Sequence, residues 1–202
     1  MNKIYLLIGC FVFAACASSP NRNENFNLSQ DRYEDLVAFF SDHNQQYDGP
    51  YNILDVTGTL LNSHVIEAQT LRQATVFQWE PSKFQTELRQ RLSGARGKTE
   101  VFVSFFTPDR KSSDLTRGET LWKTILKFDG KEIAGKPKKI TLLPVEIMSL
   151  YPQHSRWSNA YIITFETPTP DLERVPTELI ITGPAGTTNL KFRPIKGPLY
   201  KQ

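Results

Sequence analysis

Two cysteines, three histidines and one Gly-Lys-Thr tripeptide are the residues of this 202-residue chain whose types and spacing could carry chemistry. Gly97-Lys98-Thr99 is how a phosphate-binding loop ends. Such a loop also needs a glycine five places before the one preceding its lysine, where this chain has Leu92, and a strand-loop-helix order that aims helix amides at the phosphate. Periodicity puts a helix before this stretch and a strand after it, so no nucleotide is expected, and Gly94 and Gly97 are read as a helix C-cap and turn. His43, His64 and His154 fall on different predicted elements. Only His64 shares a helix face with a carboxylate, Glu67, and two donors do not make a metal site; no metal and no other cofactor is expected. No Gly-x-Ser-x-Gly elbow or Ser-x-x-Lys pair activates a serine. These absences weigh against an enzyme, although a triad assembled from distant segments leaves no local signature.

The thiols point to a different chemistry. Lys3 supplies a positive start, Ile4 to Phe13 an apolar run, and Ala14-Ala15 small residues before Cys16, the three parts of a secretory signal. The uncharged stretch from Ile4 to Ala17 is 14 residues, short of the roughly 20 a spanning helix needs, so processing is expected rather than retention. Phe13-Ala14-Ala15-Cys16 resembles the lipobox of bacterial lipoproteins. That resemblance implies diacylglyceryl transfer to the Cys16 thiol, cleavage before it and acylation of the new amine. Leu7-Ile8-Gly9-Cys10 matches the lipobox better residue by residue, but cleavage there leaves an apolar run of only Ile4 to Gly9, below the roughly 7 residues usually needed. Ala17, in place of the Asp that signals inner-membrane retention in the enterobacterial pattern, implies the outer membrane of a two-membrane cell, on its periplasmic or surface face.

Two further stretches could bind a partner. Tyr151-Pro152-Gln153-His154-Ser155-Arg156-Trp157 sets two large aromatics beside a His and an Arg, types enriched in binding hot spots and able to stack on sugar rings; Tyr151, His154, Arg156 and Trp157 are the candidate contacts. The competing expectation is that a Trp at the start of a sandwich strand packs into the core. Lys123, Lys127, Lys131, Lys136, Lys138 and Lys139 form a candidate basic face for anionic headgroups; they would equally solvate and protect an edge strand. The polar loop Asp109 to Arg117 is either functional or simply mobile.

The elements that position these groups follow from composition and period. With residues 1–15 removed, 23 basic and 21 acidic residues remain, a balance that does not argue for nucleic acid. With Cys10 removed and Cys16 acylated no thiol is left for a disulfide framework, a nucleophile or a metal, and 39% hydrophobic content with 13 Phe excludes a disordered chain. Residues 16–28 are read as the lipidated cysteine and a flexible tether, and 29–202 as a single globular domain. Ser29 caps a helix over about 30–46, with Leu28 and Tyr33 as a hydrophobic staple and Tyr33, Leu36, Val37 and Phe40 along one face. Strand is expected over about 51–61, with a bulge at Gly58, then helices over about 64–93, the first capped by Ser63. Val101 to Phe106 is apolar on both faces and belongs in the middle of a sheet. Strands continue to about 193, including Glu146 to Leu150, with a two-residue hairpin at Asp129-Gly130 and a closing hairpin that points Leu190 and Phe192 inward. The predicted class is α+β: an antiparallel immunoglobulin-like β-sandwich with an N-terminal helix and a helical insertion. The leading expectation is a lipid-anchored, non-enzymatic envelope protein that binds a protein or glycan partner. The alternatives are a tethered extracytoplasmic hydrolase acting on envelope polymers and a structural or assembly subunit.

Overall fold

The computed structural model describes residues 29–117 and 121–195; the stretches read above as signal and tether, with Cys10, Cys16 and the Leu28 half of the expected staple, lie outside the described residues. Helix α1, Gln30–Phe39, starts at Ser29, whose Oγ accepts from the Arg32 amide. It buries Tyr33, Val37 and, at its C-cap, Phe40. The helix does not run on to 46. Ser41–Asp48 carries no apolar stripe beyond Tyr47 and forms strand β1, which pairs antiparallel with β2, Tyr51–Leu60, across the Gly49-Pro50 turn. Ser41 marks the change, donating its hydroxyl to the Val37 carbonyl and meeting Thr59 Oγ1 at 2.7 Å.

Helix α2, Ser63–Val76, is capped by Asn62 rather than Ser63: Asn62 Oδ1 accepts from the Val65 amide at 2.9 Å. Helix α3, Pro81–Ala95, has proline in its first turn, where the missing N–H costs nothing. Strand β3, Thr99–Phe106, lies between β2 and β7, Asn159–Phe165, in the sheet β1-β2-β3-β7-β6, where β6 is Lys136–Lys139. The other sheet is β5-β4-β8-β9, with β4 Lys123–Phe128, β5 Lys131–Ala134, β8 Thr177–Gly183 and β9 Gly186–Phe192. Asp129 and Gly130 adopt the positive φ of the expected two-residue hairpin between β4 and β5. Glu146 to Leu150 is not strand: Pro144–Leu150 is helix α4, with Pro144 in its first turn and Glu146 Oε2 reaching back to accept from the Leu143 amide. A four-residue helix α5, Thr169–Leu172, joins β7 to β8.

Both sheets are antiparallel and form a sandwich-like pair. Val101, Val103 and Phe105 face Leu126, Leu179, Ile181 and Leu190 in the core between them. The other face of β3 carries Phe102, which packs with Phe40, Val65, Ile147 and Tyr151 under the helices. The central position of β3 follows from this pattern, since a strand apolar on both faces has to be covered on both. Gly58 makes no bulge; it stays in register with Val103, and a Cβ there would sit 2.7 Å from Leu190 Cδ1, so glycine serves the close approach of β9. The irregularity in this hairpin lies between Gln46 and Tyr47 instead.

Candidate functional site

Helices α2 and α3 stand on the outer face of the five-stranded sheet and leave a cleft of about 460 Å³ against β3, β7 and α4. Its apolar floor comprises Leu61, Ile66, Leu150 and Ile162; Gln69, Gln73, Glu87, Arg91, Lys98 and Glu100 supply the polar wall. Helical spacing explains the placement of the α2 side chains, because Ile66, Gln69 and Gln73 recur at intervals of three and four and share a face. Arg91 donates to Gln73 Oε1 and Lys98 pairs with Glu100, both at 2.5 Å.

Tyr151 closes the inner end. Its ring lies parallel to Phe102, is buried, and extends the apolar floor. Burial, partly offset by the Gln69 amide, pushes the phenol up to about 12, so it stays protonated and can donate throughout the physiological range. Tyr33 reaches the same region from α1, donates to the Leu150 carbonyl, and is likewise raised by burial. Gln69 lies beside both phenols, itself buried, and its amide lowers both of them, partly offsetting the effect of burial. A buried amide, a protonated phenol and a guanidinium over an apolar floor make a cleft suited to a ligand with polar acceptors. Gly94 and Lys98 of the Gly-Lys-Thr stretch also line it, but the chain runs from α3 into β3, and neither Gly94 nor Gly97 takes a positive φ.

The four candidate contacts at 151–157 do not form one patch. Tyr151 and His154 are buried under the helices, where His154 Nδ1 meets Ser104 Oγ at 2.8 Å and its ring stands edge-on to Phe102. Trp157 is 72% exposed, with the Arg156 guanidinium 4.8 Å from its ring centroid. A tryptophan at the start of β7 therefore does not enter the core here. That end of the sandwich is filled instead by Trp122, whose Nε1 donates to the Ser112 carbonyl, and by Leu115. The 109–117 loop is pinned by these contacts and by Tyr161, whose hydroxyl accepts from the Leu115 amide, which makes it part of the core's closure.

The six lysines are dispersed. Lys123 and Lys127 point out from β4, and Lys127 pairs with Glu132 at 2.6 Å. Lys131 lies over the Phe128 ring and Lys136 pairs with Glu166. Lys136, Lys138 and Lys139 surround Pro137 on β6, the edge strand of its sheet, where charge and proline oppose pairing with a second chain. The imidazoles are separated as well. His43 meets Asp55 on the exposed β1–β2 hairpin and His64 stands edge-on to Phe40. Among the described residues no group of three or more His, Cys, Asp or Glu is placed to hold a metal ion, and no helix is long and apolar enough to cross a membrane.

Burial holds the His154 imidazole below its ordinary value of 6.5, so the unfolded chain takes the proton more readily than the folded one. The stability this gives is fully present above 6.5 and is lost as pH falls below it. Urea unfolding at pH 7.5 and 5.5 should show a loss of stability in the parent chain that is smaller in His154→Asn; equal losses would remove His154 as the cause.

No family model matches the chain, and neither a curated protein nor a solved structure matches it. Sequence reasoning missed Gln69, Gln73 and Arg91. Their signal was available only as polar residues on helix faces that periodicity assigns to the core side.

Proposed function

We propose that this chain is a lipid-anchored envelope protein, attached through acylated Cys16 at the outer membrane, that binds a partner without transforming it. The segment Phe13-Ala14-Ala15-Cys16-Ala17 supports the anchor and its address. In this reading the sandwich, taken as immunoglobulin-like, is a rigid support for the helical layer and its cleft. The observation that carries the binding role is the convergence of the Tyr151 phenol, the Gln69 amide and the Arg91 guanidinium on one apolar-floored cleft. These are recognition groups; the lining also holds Thr169, Glu87 and Glu100, the groups through which the hydrolase alternative would have to act. A peptide segment of a protein partner fits better than a sugar, because the Tyr151 ring has Phe102 against one face and is buried, leaving little of it for stacking. The glycan reading keeps one specific support, the exposed Trp157 with Arg156 over it.

A photoreactive p-benzoylphenylalanine in place of Gln90, on the exposed rim of the cleft, should give a reproducible peptide adduct in native membranes. Arg91→Ala on that background should lower its yield by about tenfold, the equivalent of about 1.4 kcal/mol. Cys16→Ala should abolish palmitate labelling and membrane fractionation. A glycan adduct retained in Arg91→Ala and lost in Trp157→Ala would move the site to Trp157. Wild-type-dependent release of shortened envelope polymer would establish the hydrolase instead.

A further inference from the structure

A second surface, adjoining the cleft at Gln73 and Leu150, is mostly apolar and open. Val76 and Phe77 at the end of α2 and Leu142 before α4 line one hollow of about 230 Å³, and Leu143, Val145 and Met148 continue the surface along α4. Phe77 is 66% exposed and Val145 71%. Ile147 of α4 is buried against the core, while Val145 and Met148 of the same short helix stand in the open beside the exposed Glu146 and Ser149. A cluster of large apolar side chains left open on this scale marks a surface that something covers.

We infer that this face lies on the phospholipid bilayer into which acylated Cys16 is inserted, so that the anchor and the face together fix how the domain sits on its membrane. The inference rests on the anchor proposed above. The place where the tether joins the domain favours a bilayer over other occupants. Residues 17–28 span at most about 40 Å when extended and end at Ser29, the cap of α1. Tyr33, one turn further on, lies under the Arg72 guanidinium at 5.1 Å, and Arg72 Nε donates to the Ser149 carbonyl; Arg72 and Ser149 both line the hollow. The described chain thus begins one turn before a residue that touches the lining of this face. Its margin also has interfacial chemistry. Phe77 stacks on Trp79, and the Lys83 ammonium lies 4.8 Å from the centre of the Trp79 ring, an aromatic pair with a cation above it as at a headgroup boundary. Of the nearby carboxylates, Glu146 is held by the Leu143 amide.

The test uses the full chain in cells, with p-benzoylphenylalanine in place of Phe77 or, as a control on the outer face of β9, of Asn189. Adducts are separated into lipid and protein by mass, and palmitate labelling of Cys16 is read in parallel. The expected result is a lipid adduct at 77 at least roughly tenfold above that at 189 and reduced by Val145→Asp. Protein or intramolecular adducts at 77, or equal lipid adducts at 77 and 189, in a chain that still carries palmitate would overturn the seating and leave the anchor standing. Loss of palmitate labelling in the parent chain would overturn the anchor and the seating with it.

Discussion

Truncating Tyr151 to Ala should destabilise the fold by about 3–5 kcal/mol, the range for removing a large aromatic from a packed interior. The ring is only 7% exposed and stacks face to face on Phe102, with centroids 3.5 Å apart. Its neighbours Ile147 and Ala160 are buried with it, so little of the resulting cavity can refill. Two comparisons make the result specific. Tyr151→Phe keeps the stack and removes only the hydroxyl, for about 1 kcal/mol. Trp157→Ala removes a larger side chain from the surface and should fall within about 0.5 kcal/mol of the parent. Urea unfolding of the three variants decides the matter: a Tyr151→Ala chain no less stable than Trp157→Ala would mean that Tyr151 is not part of the core.

Gly135→Val is expected to be costly for the opposite reason. The chain passes from β5 in one sheet to β6 in the other at Gly135, and a Cβ there would lie 2.5 Å from Ile163 Cγ2 and 2.6 Å from the Phe165 ring, both fully buried. The backbone cannot retreat easily, since the Gly135 amide donates to the Thr124 carbonyl and the Thr124 hydroxyl donates back to the Gly135 carbonyl. Overpacking costs about 1–3 kcal/mol where neighbours can shift; here the loss should reach the top of that range. Gly94→Ala is the control: it lies in α3 with nothing within 4 Å of the place an alanine methyl would take, and helix propensity predicts no loss, or a gain of up to about 1 kcal/mol. Equal midpoints for Gly135→Val and the parent in urea would refute the close crossing.

Much of the fold was legible because its signals are local. The alternation in Thr99–Phe106, Asp129-Gly130 with its tolerance of positive φ, the inward Leu190 and Phe192, and the stripe of Tyr33, Val37 and Phe40 each act over a few residues, and each element forms where they put it. The errors arose where pairing with a distant segment outweighed a local preference. Residues 41–46 extend the helix only if β2 is ignored; with β2 alongside, their amides and carbonyls are satisfied in a hairpin. At 146–150 a strand-like composition lost to Pro144 and Glu146, which organise a helix start.

The binding candidates were less legible. Tyr151, His154, Arg156 and Trp157 are close in sequence, but the turn at 151–158 sends the first two inward and the last two outward. Contiguity in the chain could not reveal this, because burial is set by what packs above, here α1 and α2. The cleft residues show the converse. Gln69, Arg91 and Glu100 come from three elements, and no spacing rule connects them.

What the sequence by itself determined is therefore chemical and local: a thiol at Cys16 after two alanines, helix caps and turns, and which faces are apolar. Tertiary structure alone decided which apolar faces are covered. Phe102 is covered and Phe77 is not, although both are aromatic residues on regular elements or at their ends. The reason is physical: a side chain leaves water only when a second element, brought in from elsewhere in the chain, supplies the surface to pack against.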